Sequence, residues 1–188
     1  MLNFSEYGTA TPDAAPLIIA HGLYGSGRNW GVIAKRLSDT RHVITPDMRN
    51  HGTSPRESSQ SYPDMADDLA NLITRIGGPV DLCGHSMGGK AAMALALTHP
   101  HLIRKLVIAD IAPVAYGHTQ QGMIDAMRTV DLANLTRRSD AESQLAAAGI
   151  EPALPKLFHP VTGCAEQSLA PEPRRAGNRN GQNHRLAR

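Results

Sequence analysis

Five residues, Gly84-His-Ser86-Met-Gly88, place a serine between an apolar run, Val80-Asp-Leu-Cys83, and an alanine-rich helical pattern from Met87 to Thr98. A serine hydroxyl is a weak nucleophile until a base removes its proton, so the chemistry on offer is covalent attack on an electrophile. The context is a strand, a sharp turn and a helix. Such an elbow strains the serine backbone, and its neighbours two before and two after must be small so that strand and helix can approach. Gly84, Gly88 and Gly89 meet that need. The elbow predicts Ser86 Oγ at a helix N-terminus, where the Met87 N–H can donate to a developing oxyanion. A second donor is expected from the loop after an earlier strand. His21-Gly22-Leu23 follows Leu17–Ala20 directly, which makes the Leu23 N–H the candidate. Gly22 and Gly25 let that loop turn back toward the serine.

A base and an orienting acid must complete the nucleophile, and in an elbow of this kind the chain order is serine, acid, histidine. Asp110 ends the next strand pattern, Leu106–Ala109, and so is expected on the same sheet edge as Ser86. Asp47 also ends a strand pattern, but it precedes the serine and has Arg49 beside it, which reads as a structural turn with a charge pair. Nine histidines occur, of which His118, His159 and His184 follow Asp110. None of the three follows a strand pattern. His21, His51 and His85 belong to turns, and His42, His99 and His101 read as surface residues at element ends. A rival reading takes Gly84-x-x-x-x-Gly89-Lys90 as a phosphate-binding loop with Asp110 as a magnesium ligand. That loop requires a hydroxyl where Ala91 stands, so the rival fails on chemistry.

The elements that must carry these residues are short apolar runs alternating with longer helical patterns, the arrangement of parallel strands joined by crossover helices. Strands are predicted at Leu17–Ala20, Val43–Thr45, Val80–Cys83 and Leu106–Ala109, with helices at Pro63–Ile76 and Met87–Thr98. After Pro113 the pattern turns helical: Met123, Ile124, Met127 and Val130 share a face, and Ser139-Asp-Ala-Glu142 reads as a capping box for a second helix. The expected organisation is a core over 1–113, a partial helical lid over 114–155, and a disordered or non-native tail over 156–188. The tail is rich in Arg, Asn, Gly and Pro and too poor in aliphatic residues to fold alone. The formal charge is +2, but residues 164–188 hold five arginines against two glutamates, leaving 14 basic and 15 acidic residues in 1–163. That balance argues against a nucleic-acid-binding body. Two cysteines without paired spacing form neither a disulfide framework nor a metal site and suggest a reducing cytoplasm. The N-terminus lacks a secretory pattern, and no apolar run is long enough to span a membrane.

Taken together, HGLYGSGRNW, PDMRNHGTSPR, YPDMADDL, GHSMGGKAAMAL and VIADIAPVAY resemble the small bacterial carboxylesterases of the alpha/beta-hydrolase superfamily. The resemblance covers about Ile18 to Ala148. It implies a three-layer α/β fold with a mostly parallel sheet and cofactor-free transfer of an acyl group to water through an acyl-serine. The partner implied is a small acyl ester or thioester. Carried over by motif, Ser86 is the nucleophile, Asp110 the triad acid, Leu23 and Met87 the oxyanion pair, and His21, Gly22, Tyr24 and His85 line the substrate. No metal is implied. Members of the family continue beyond the lid into two more strands and carry the triad histidine in a Gly-His motif that nothing here matches. A catalytically dead truncated remnant, or a binding module of the same fold, is therefore the alternative. A cofactor-free perhydrolase or carbon–carbon hydrolase is a further one. Epoxide and haloalkane hydrolases place an aspartate at the elbow, which Ser86 disfavours.

Overall fold

The computed structural model describes residues 1–150 other than 12, 118 and 119. In chain order the elements are β1 (Phe4–Tyr7), β2 (Leu17–Ala20), α1 (Gly31–Leu37), β3 (Val43–Pro46), α2 (Tyr62–Ile76), β4 (Val80–His85), α3 (Met87–Thr98), β5 (Ile103–Ala109), α4 (Gln121–Arg128) and α5 (Arg138–Ala147). The expected end of the lid at 151–155 and the tail at 156–188 lie outside the described residues.

The strands form one sheet in the order β1-β3-β2-β4-β5. β3, β2, β4 and β5 are parallel, and β1 runs antiparallel on β3. The period-2 alternation of a strand sorts side chains between two cores. Ile18, Ala20, Ile44, Val80 and Leu82 face the apolar stripes of α2 and α3, while Leu17, Ile19 and Val43 meet Ala34 of α1, with Tyr7, Trp30 and Cys83 packed around them. Helices thus cover both faces, giving three layers.

α2 shows how sequence sets an element. The Ser61 hydroxyl accepts a hydrogen bond from the Asp64 N–H at 3.2 Å, Pro63 sits in the first turn, and the helix closes on Gly77 at φ 84°. Its buried face, Met65, Ala66, Leu69, Leu72 and Ile73, follows the helical period. Each large side chain on it contributes about 1.5–3 kcal/mol. The core is aliphatic, as the scarcity of aromatics predicts.

The structure departs from the sequence expectations in five places. β1 and α1 were not anticipated. β5 begins at Ile103, three residues earlier than expected. α5 begins at Arg138 and is not capped by Ser139: the Asp140 carboxylate accepts from the Arg137 and Thr136 N–H groups at 2.9 and 3.1 Å and from the Thr136 hydroxyl at 2.8 Å. Asp47 does not pair with Arg49, whose guanidinium reaches instead to Asp68 of α2 at 2.6 Å. The Asp47 carboxylate accepts from the Gly27 N–H and from the Thr53 N–H, both at 2.8 Å, tying the turn after β2 to the turn after β3.

Candidate active site

Ser86 stands between β4 and α3 at φ 51° and ψ −116°, a region that L-residues rarely occupy. Its N–H donates to Ala109 O at 3.0 Å, which fixes the elbow to the end of β5. The glycines around it are demanded by contact. A Cβ on Gly84 would lie 2.5 Å from Gly88 O, and one on Gly88 would lie 2.5 Å from Ala20 O. β4, α3 and the end of β2 therefore meet backbone to backbone beneath the serine.

The turn after β2 reaches the same place. A Cβ on Gly22 would stand 3.2 Å from Ser86 Cβ and 2.9 Å from His85 Nδ1. Gly22 O accepts the Gly25 N–H at 3.0 Å, and Tyr24 takes φ 62° to close the turn. Leu23 is exposed at its tip. Neither the Leu23 nor the Met87 N–H is hydrogen-bonded among the described residues, and Met87 opens α3, where N–H groups lack helical partners.

Two imidazoles lie behind this turn. His21 is 1% exposed; its Nδ1–H donates to Gly22 O at 2.8 Å and its Nε2 accepts the Met48 N–H at 2.9 Å. Burial pushes its pKa down from 6.5 to about 4, so the ring is neutral. Both ring nitrogens of His21 are committed to backbone groups. His51 packs its ring edge-on against His21 with centroids 5.2 Å apart. Its Nδ1–H donates to Arg49 O at 2.8 Å and its Nε2 accepts the Tyr24 N–H at 3.3 Å. Burial lowers its pKa as well. Sequence reasoning placed His51 in a turn and missed its link to Tyr24. The signal available was the repetition of His-Gly at 21–22 and 51–52.

Asp110 follows β5 at φ 58° with its carboxylate 81% exposed, 3.4 Å from His85 Nε2. The His85 ring rests against Trp30 with centroids 5.8 Å apart. Of the described imidazoles, His85 alone lies within 4 Å of the Asp110 carboxylate, and no hydrogen bond joins it to Ser86. His99 and His101 lie beside each other at the end of α3, and His42 is half-buried against Glu6 at 3.1 Å, not at the surface as expected. His118, His159 and His184 lie outside the described residues. Among the described residues no group of three His, Cys, Asp or Glu side chains is arranged to hold a metal, and no helix is long and apolar enough to cross a membrane.

The alpha/beta hydrolase fold family matches residues 15–151. An sn-1-specific diacylglycerol lipase of Danio rerio is 43% identical over 142 residues, covering 71% of this chain and 45% of the lipase. Esterase YbfF of Escherichia coli is 42% identical over 137 residues, covering 72% of this chain and 52% of the esterase. The chain thus spans about half the length of the curated relatives it matches. A marine microorganism esterase superposes with a TM-score of 0.77 at 39% identity, over 84% of this chain and 62% of that one. With its elbow serine, its three-layer sheet and these relatives, the chain belongs to the alpha/beta hydrolase fold family.

Proposed function

We propose that this chain carries the nucleophile and oxyanion side of a serine hydrolase that cleaves small carboxylic esters or thioesters. The observation that carries the reading is the strained backbone of Ser86, with the Gly22 turn pressed against its Cβ. Ser86 Oγ attacks the acyl carbon and its proton passes to a base. The tetrahedral oxyanion is received by the Leu23 and Met87 N–H groups. The alcohol or thiol leaves with a proton, and water releases the acid from the acyl-serine. Asp110 is the acid that orients the base. Gly22, Tyr24 and His85 border the acyl site. The helices α4 and α5 belong to a lid, whose half-buried Met123 and Met127 present adaptable apolar surface. Relatives named esterases and a diacylglycerol lipase support the substrate class.

A fluorophosphonate probe tests the assignment. In a protein completed with the base it labels Ser86, and S86A abolishes both labelling and hydrolysis of p-nitrophenyl butyrate. Labelling that survives S86A sinks the reading. In a protein completed with the base, D110N lowers kcat by about 10⁴, the usual loss when the base is left in the wrong tautomer; a loss below tenfold moves the acid elsewhere.

A further inference from the structure

We propose that His51 is a positioning residue that holds the Gly22–Gly25 turn against Ser86 through the Tyr24 N–H, and that it does so only while its ring is neutral. The inference rests on reading that turn as the oxyanion side of the site. Its geometry follows from donor and acceptor identities. Arg49 O can only accept, so the proton of the neutral ring resides on Nδ1, and Nε2 is left with a lone pair facing the Tyr24 N–H. The turn is thereby pinned at two points: Gly22 O by the His21 Nδ1–H and Tyr24 N–H by His51 Nε2. Leu23 lies between them. Tyr24 at φ 62° has little intrinsic preference for its conformation, so these bonds, together with that from the Gly25 N–H to Gly22 O, help the turn to persist.

Protonation of His51 places a second N–H on Nε2, opposite the Tyr24 N–H. Donor then faces donor and the pin is lost. The charged groups around the ring oppose one another: the Arg56 guanidinium disfavours the imidazolium and the Asp47 carboxylate favours it, while the neighbouring His21 ring is itself neutral. The Arg49 side chain is turned away to Asp68 and Asp64 of α2. Burial is the largest influence and keeps the ring neutral to below its ordinary pH. The turn is therefore held at neutral pH and let go on acidification.

The experiment compares the protein with H51Q, whose amide oxygen can accept the Tyr24 N–H without titrating, and H51F, which fills the space with no acceptor. In ¹⁵N-labelled protein the Tyr24 amide resonance titrates with the midpoint of the His51 ring, below pH 6.5; in H51Q it does not titrate. Exchange of the Tyr24 amide proton is about five- to tenfold faster in H51F, the loss expected for one neutral hydrogen bond. In catalysis H51F lowers kcat several-fold with KM little changed, and H51Q restores kcat while removing the acid limb that His51 contributes. A Tyr24 amide indifferent to pH between 4 and 8 overturns the proposal, as does an H51F effect confined to KM. The amide measurements need no turnover. Failure of the hydrolase reading would leave the Tyr24 titration intact, whereas failure of the pin would abolish it in an active enzyme.

Discussion

Replacing His21 with asparagine should change how stability responds to pH more than it changes stability at neutrality. The unfolded ring takes up a proton near pH 6.5 and the folded ring only at about 4. Between those values the unfolded state binds more protons, so stability falls as the pH falls. The contribution is fully present above pH 6.5 and lost by about pH 4. At 1.36 kcal/mol per decade of affinity, the buried ring accounts for a loss of about 3 kcal/mol across that window. Asparagine can still donate to Gly22 O, but it leaves the Met48 N–H without the acceptor that His21 Nε2 provides, at a cost of about 1–3 kcal/mol at pH 7.5. The natural protein is thus more stable than H21N at pH 7.5, and the two converge or cross near pH 4. Urea unfolding at pH 7.5, 6, 5 and 4, followed by circular dichroism, reads the difference directly. His51 and the carboxylates titrate in both proteins and cancel. Parallel curves for the two proteins across the whole range would refute the assignment of a neutral, doubly bonded His21.

Three further outcomes follow from packing and from the sheet edge. G84A forces a Cβ to 2.5 Å from Gly88 O and 2.7 Å from Gly89 Cα. It should lower stability by about 3 kcal/mol or more, since neither backbone atom can yield alone. G122A meets nothing within 4 Å in α4 and should raise stability by about 0.5–1 kcal/mol in the same denaturant titration. β5 ends the described sheet with Val107 56% exposed, so V107K should raise the monomer fraction in size-exclusion chromatography. An unchanged elution profile would show that this edge does not associate.

What could be read from sequence was whatever buries continuous apolar runs. β2 is an unbroken buried aliphatic run, β3 and β4 are short mostly buried runs interrupted by Thr45 and Asp81, and α2 carries a complete apolar stripe. β1 was hidden because an antiparallel edge strand of Phe-Ser-Glu-Tyr leaves two residues in solvent and shows no run. α1 was hidden for the opposite reason: Val32, 70% exposed, and Ile33 point outward while the small Ala34 is the residue buried. At the site, the strand–turn–helix placement of Ser86 and the position of Asp110 at a strand end were both legible from local pattern. The pairing of Asp110 with His85 was not, because residues 25 apart in sequence meet only through the β4–β5 register. The link from His51 to Tyr24 joins two loops 27 residues apart, and the repeated His-Gly at 21–22 and 51–52 was its one trace in the sequence. Arg49 was misassigned to Asp47 because adjacency in sequence says nothing about a partner on α2.

The strand order has one more consequence. From β2 the chain leaves through α1 on one face toward β3, and from β4 it leaves through α3 on the other face toward β5. The two connections diverge from neighbouring strands, so no crossover passes above the junction between them, and a crevice opens there as a property of the winding. Gly22 stands two residues past the end of β2, and Ser86 is the first residue past the end of β4. The cleft therefore exists before any side chain is chosen. Residues along its rim can change without disturbing the backbone contacts that hold Ser86.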